Sequence, residues 1–169
     1  MKKIEGQASA FMDDSLGIDD AVGISEKIKN DPSALLTITQ DAINRAELVN
    51  PKLNAIAVAD FDGAIARVEN PVQGNFSGVP TFIKDTDEVT GIPLYLGSRA
   101  LPGNISTKLS KAARQLVDSG LNYLGTTTTP EFGLTGTTES LKFGATKNPW
   151  NLAYSTGGSS GGSAAMVAS

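Results

Sequence analysis

The chain is predicted to adopt an α/β fold. Apolar strand-like runs alternate with segments of helical period, clusters of Gly, Pro, Asn and Asp separate them, and 169 residues suffice for one domain with a real core. The first thirty residues are polar and acidic, without a clear period, and are set apart as segment 1–30; residues 31–169 are read as the front part of one domain. Asp31-Pro32 forms an N-cap and first helical residue. Leu35, Ile38, Ala42, Ile43 and Ala46 follow at helical spacing, and Asn50-Pro51 is expected to close that helix.

Ala55–Val58 reads as a short buried strand, and Phe61–Val68 as a helix with Asp60 in the cap position. Gly78–Ile83 is strand-like and runs directly into Lys84-Asp85. Ser106 or Thr107 is expected to cap the next helix, whose inner face carries Leu109, Ala112, Ala113, Leu116 and Val117 and which Gly120 ends. Leu121–Gly125 is a further strand, followed by the run Thr126–Thr129. Pro130–Glu139 is loop-rich, with Thr135, Thr137 and Thr138 as polar contacts. A helix starting near Gly162 would run for barely two turns.

Composition narrows the chemistry. Hydrophobic residues make up 40% and charged residues 19%, which fits a globular chain rather than a disordered one. Fourteen basic residues against 18 acidic ones leave a net charge of −4, the wrong balance for a protein whose main ligand is nucleic acid. Cysteine and histidine are both absent, which excludes a disulfide, a thiolate nucleophile, a Ser-His-Asp triad and a His- or Cys-ligated zinc within these residues. No metal and no cofactor are expected. Acid–base chemistry near neutral pH falls to carboxylates, lysine, tyrosine or water. Met1-Lys2-Lys3 resembles the start of a signal peptide, but Glu5, Gln7 and Asp13-Asp14 interrupt any apolar core, so a cytoplasmic location without membrane contact is expected.

Two segments carry chemistry. A lysine closing an apolar strand is ordinarily a surface residue. Held in a poorly solvated place, Lys84 would lose charge more easily and offer a neutral amine as a base. Thr156-Gly157-Gly158-Ser159-Ser160-Gly161-Gly162-Ser163 combines glycines, which allow close backbone approach, with hydroxyls, and leads into the small residues Ala164–Ala168. Its composition also suits a flexible linker. A phosphate loop fits poorly, because no Gly-Lys-Ser/Thr follows and the Gly-x-Gly-x-x-Gly spacing is missing.

Taken in order, Gly78-Val79-Pro80-Thr81-Phe82-Ile83-Lys84-Asp85, Gly125–Phe132, Thr138-Glu139, Phe143–Thr146, Asn148-Pro149-Trp150-Asn151 and Gly157–Ala165 resemble the motifs of the amidase signature family across residues 32–169. The resemblance implies a mixed β-sheet covered by helices, of which this chain is the incomplete front part, and hydrolysis of a small-molecule amide through a Ser-Ser-Lys relay. It assigns Lys84 as base and Ser159 as the bridging serine, reached through a cis peptide after Gly158. Gly157, Gly158, Ser160, Gly161 and Gly162 shape the loop. Gly133 and Thr135, after Pro-Glu-Phe, are placed with Ser159 around the acyl group.

In the family the attacking serine lies in a later Gly-Gly-Ser motif. Residues 1–169 end before one, and neither Ser160 nor Ser163 occupies that place, so these residues by themselves are expected to be inactive and marginally soluble. Thr156 stands where many members have proline. Two other functions are compatible with the same residues: a glutaminase component of a tRNA-modifying amidotransferase, or a catalytically dead module for binding or assembly. No direct nucleic-acid contact is expected, and a homodimer is compatible with the sequence.

Overall fold

A computed structural model describes residues 6–169; the Met1-Lys2-Lys3 start and Glu5 lie outside the described residues. The central feature is a mixed three-stranded sheet in the order β1-β3-β2, formed by β1 (Ile56–Ala59), β2 (Pro80–Lys84) and β3 (Asn122–Thr127). β1 runs antiparallel to β3 and β2 runs parallel to it. A parallel pair needs a crossover, and the connection between β2 and β3 contains helix α4 (Lys111–Asp118). Consecutive strand residues face opposite ways. Leu124 therefore packs with Ile43 and Ala64 on one face, while Tyr123 packs with Ala113, Val89 and Ile83 on the other. Helices thus cover the sheet on both sides.

α2 (Leu35–Leu53) is the main support beneath one face, with Ile38, Val49 and Leu53 almost fully buried. It starts as expected, with Asp31 accepting the Ser33 N–H at a 3-10 turn over Pro32–Ala34. It does not stop at Asn50-Pro51, however. Pro51 sits in the last turn and the helix runs on to Leu53, where Asn54, at φ 52°, closes it in the left-handed conformation that asparagine tolerates. Asn50 then acts as a connector rather than a breaker: its side-chain oxygen accepts the N–H groups of Ala55 and Ile56 and leads the chain into β1.

Three further details depart from expectation. Residues Ala21–Asn30, read as lacking a period, form α1, which Asp20 caps through the N–H groups of Val22 and Gly23. Only Ile24 and Ile28 anchor it to the apolar core, and one i, i+4 pair is a faint periodic signal. α4 is capped by Ser110, not by Ser106 or Thr107; the Ser110 hydroxyl oxygen accepts the Ala113 N–H. At α3 (Phe61–Arg67), Asp60 occupies the cap position without a side-chain capping bond and pairs with Arg67 at 3.0 Å instead.

The remaining elements surround the C-terminal helix α5 (Gly161–Ala168), whose Ala165 packs with Val49 and Leu53 of α2. Two small hairpins precede it: β4 (Glu139–Ser140) with β5 (Gly144–Ala145), and β6 (Lys147–Asn148) with β7 (Asn151–Ser155). The stretch before α1 is strapped to α2 by Asp14, whose carboxylate accepts Arg45 Nε at 2.8 Å and Nη2 at 2.5 Å together with the N–H groups of Leu16 and Gly17. No helix among the described residues is long and apolar enough to cross a membrane.

The Arg45 hydrogen bonds hold the Asp14 carboxyl below its usual value of 3.8. A carboxylate whose folded-state pKa is depressed stabilises the fold above its unfolded value, and that stabilisation is lost as pH falls through the folded one. Asp14→Asn is expected to cost about 1–3 kcal/mol at pH 7. Urea unfolding should show this difference shrinking below pH 4.

Candidate active site

The C-terminal end of β2 delivers Lys84 to the loop ahead of α5. Lys84 Nζ donates to Ser159 Oγ at 2.7 Å, although the two residues are 75 positions apart. Burial pushes the Lys84 ammonium below its ordinary value of 10.5, and the Asp87 carboxylate opposes that shift. Once neutral, the same amine is placed to accept the Ser159 hydroxyl proton. A cavity of about 480 Å³ lies elsewhere, among Phe11, Arg45, Phe82, Ser163 and Met166; neither Lys84 nor Ser159 lines it. The lysine–serine contact, not that cavity, is the candidate centre, because it joins an amine whose charge is disfavoured by burial to a serine hydroxyl on the Gly/Ser loop.

The Gly/Ser loop is built into the fold and is not a linker. The Gly158–Ser159 peptide bond is cis. Thr129 Oγ1 donates to the Ser159 carbonyl at 3.0 Å, and Thr138 Oγ1 donates to the Gly157 carbonyl at 2.8 Å. Ser163 Oγ lies 2.7 Å from Thr127 Oγ1, and the Gly162 N–H reaches the Thr128 carbonyl at 3.1 Å. Close approach explains Gly161 and Gly162. A Cβ on Gly162 would sit 2.5 Å from the Thr128 nitrogen and 2.6 Å from the Ala55 carbonyl oxygen, and one on Gly161 would sit 2.1 Å from Thr138 Oγ1. Ser160 occupies the N-cap position of α5 without a side-chain capping bond.

Gly133, at φ 68°, faces the same region: a Cβ there would lie 3.5 Å from Thr86 Cγ2 and 3.9 Å from Thr129 Oγ1. Thr135 is exposed, and its hydroxyl donates to the Thr137 carbonyl within its own loop. The structure therefore brings Lys84 and Ser159 together and sets Gly133 next to Thr129, while Thr135 stays in the exposed loop. Sequence reading named Thr138 as a polar contact and noted the run Thr126–Thr129, but gave neither Thr127, Thr129 nor Thr138 the role of holding the Gly/Ser loop. Their signal was a run of threonines beside an apolar strand, which ordinary turn chemistry also explains. Among the described residues, no group of three or more His, Cys, Asp or Glu is arranged to hold a metal ion.

A family model described as Amidase matches residues 37–169, and the chain belongs to this family, the amidase signature enzymes. It is 42% identical over 161 residues to the Mycobacterium tuberculosis protein named "Putative amidase AmiC", a match covering 94% of this chain and 34% of that protein. Over 156 residues it is 34% identical to a glutamyl-tRNA(Gln) amidotransferase subunit of Agathobacter rectalis, covering 88% and 31%. Among solved structures, 6-aminohexanoate cyclic dimer hydrolase superposes with a TM-score of 0.83 at 34% identity, covering 88% of this chain and 31% of that one. A bacterial aryl acylamidase gives a TM-score of 0.79 at 33% identity, covering 88% and 33%. The chain spans about a third of the length of these curated relatives, and its mixed α/β sheet is part of the amidase signature fold.

Two outcomes test the geometry of this site. Titration of the Lys84 side chain, followed by NMR at Cε, should show a midpoint below 10.5, whereas an ordinary value would remove the basis for a neutral lysine. Gly162→Ala should drive α5 off the Thr128 backbone and lower the thermal midpoint by several degrees, on the order of a 1–3 kcal/mol overpacking cost.

Proposed function

We propose that this chain contributes the base and the bridging serine of an amide-hydrolysing centre. The observation that carries the reading is the 2.7 Å contact between Lys84 Nζ and Ser159 Oγ. Neutral Lys84 takes the Ser159 hydroxyl proton, and Ser159 in turn takes the proton of an attacking serine. That serine adds to the amide carbonyl. The relay then returns a proton to the leaving nitrogen, so that ammonia or an amine departs and an acyl-enzyme remains. Water, deprotonated by the same relay, releases the carboxylate. Such a two-step relay does the work of the histidine that the chain lacks.

The attacking serine is assigned to a Gly-Gly-Ser motif outside residues 1–169, as the family resemblance implies. Ser163, bonded to Thr127, does not serve in its place. Gly133 borders the acyl group. A second reading, a glutaminase that supplies ammonia within an amidotransferase, is supported by the similarity to the glutamyl-tRNA(Gln) amidotransferase proteins. Primary amides and glutamine, each offered with and without partner proteins, separate the two.

The 169-residue chain is expected to release no ammonia, and the polypeptide extended through a Gly-Gly-Ser motif to release it. In the extended protein, Lys84→Ala and Ser159→Ala should each lower kcat by about 10²–10⁴-fold. Turnover that survives both substitutions would refute the relay.

A further inference from the structure

Asp85 is fully buried directly after the lysine, and the relay makes no use of it. Its own N–H donates to the Thr127 carbonyl at 3.0 Å, which extends the β2–β3 pairing by one residue. Its side chain faces a turn that belongs to no strand or helix. Asp85 Oδ1 accepts the Tyr95 N–H at 3.2 Å and Oδ2 accepts the Gly97 N–H at 3.0 Å. Between them Leu96 stands at φ 49°, and Gly97 follows at φ 63°. Alternate N–H groups of such a turn converge to form a concavity for an anion, and here the anion is a side chain of the protein itself.

The far side of that turn rests on the segment flanking the candidate site. The Leu96 carbonyl accepts the Phe132 N–H at 2.7 Å. A Cβ on Gly97 would lie 2.5 Å from the Thr129 carbonyl oxygen and 2.8 Å from that of Pro130, so the two backbones are in direct contact. Ser98, also fully buried, donates to Glu131 Oε1 at 2.5 Å. Thr129, clamped in this way, turns its hydroxyl onto the Ser159 carbonyl. The path runs from the residue beside the base to the backbone of the bridging serine.

We propose that Asp85 is a positioning residue for the Lys84–Ser159 pair, acting through the Tyr95–Gly97 turn and the Thr129–Phe132 segment on the Ser159 carbonyl. A carboxylate suits this place because it accepts two N–H groups and donates none. Asparagine would present its own NH₂ to one of them, and an apolar residue would leave both buried donors without partners. Burial raises the Asp85 carboxyl above its usual range, while the Gly97 and Tyr95 N–H groups and the Lys142 charge pull it back down, as a desolvated acid held by donors should behave. The consequence for hydrolysis rests on the relay proposed above, but the positioning itself can be read without turnover.

The test applies amide hydrogen exchange and Lys84 titration to the 169-residue chain, to Asp85→Asn, to Thr129→Val and to the double variant. In the unmodified chain, the Gly97 amide should exchange as slowly as the β2–β3 ladder; exchange at the rate of an open loop overturns the proposal before any variant is made. Asp85→Asn should speed exchange at Gly97 and Phe132 by about tenfold while leaving the ladder amides unchanged. A uniform rise across the ladder would mean that Asp85 supports the fold at large, and would also overturn it. Each single variant should raise the Lys84 midpoint toward 10.5, the ordinary value, as the pair loosens and water enters. The double variant should raise it no further than the larger single effect, because both act along one path; additive shifts would show independent roles. None of these readouts requires amide hydrolysis, so failure of the relay and failure of the positioning remain distinguishable.

Discussion

The parallel pairing of β2 with β3 is the constraint on which the site depends. In its register Lys84 stands opposite Thr127, so the end of the lysine strand is held beside the threonine run. That run then reaches the opposite way: Thr127 to Ser163, the Thr128 carbonyl to the Gly162 N–H, and Thr129 to the Ser159 carbonyl. One buried strand and its continuation therefore hold Lys84 on one side and the Gly/Ser loop on the other. Every residue of β3 is buried. A buried β-branched residue with a hydroxyl is suited to this work, since its methyl packs while its oxygen bonds to a neighbouring backbone.

Three titratable groups in four residues behave differently, and their surroundings explain why. Lys84 is partly buried, and desolvation pushes its ammonium below the ordinary value. Asp85 is buried too, but two backbone N–H groups occupy its oxygens and turn it away from the lysine toward the Tyr95–Gly97 turn. Asp87 Oδ1 accepts a hydrogen bond from the Ser110 hydroxyl at 2.7 Å, and its charge favours the ammonium form of Lys84. Burial pulls the lysine one way and Asp87 the other. In the relay proposed above, Lys84 would do the work of the imidazole that these residues lack.

Most of the elements could be read from local pattern. Ile38, Ile43 and Ala46 at helical spacing do mark the buried stripe of α2, and Gly78–Ile83 does lead into β2. The errors fell where side chains outweighed local signals. Asn50-Pro51 looked like a stop, yet the helix runs past the proline to Leu53 and the Asn50 side-chain oxygen accepts the N–H groups of Ala55 and Ile56 at the start of the next strand. α1 carries too few apolar residues to show a period, and it exists because Ile24 and Ile28 find Leu35, Ile38 and Val79 to pack against.

The sequence by itself determined the chemical alphabet of the site: a lysine closing an apolar strand, serines among glycines, and no imidazole or thiol to compete with them. Motif order was enough to indicate the family. Tertiary structure alone decided that Lys84 meets Ser159 and that Gly162 must lack a side chain because a backbone lies 2.5 Å from where its Cβ would be. It also decided that a threonine hydroxyl, rather than a turn, holds the serine. The reason is distance along the chain. Composition and periodicity report on neighbours within a few residues, whereas a contact across 75 positions exists only once strand pairing and core packing have brought its two ends together.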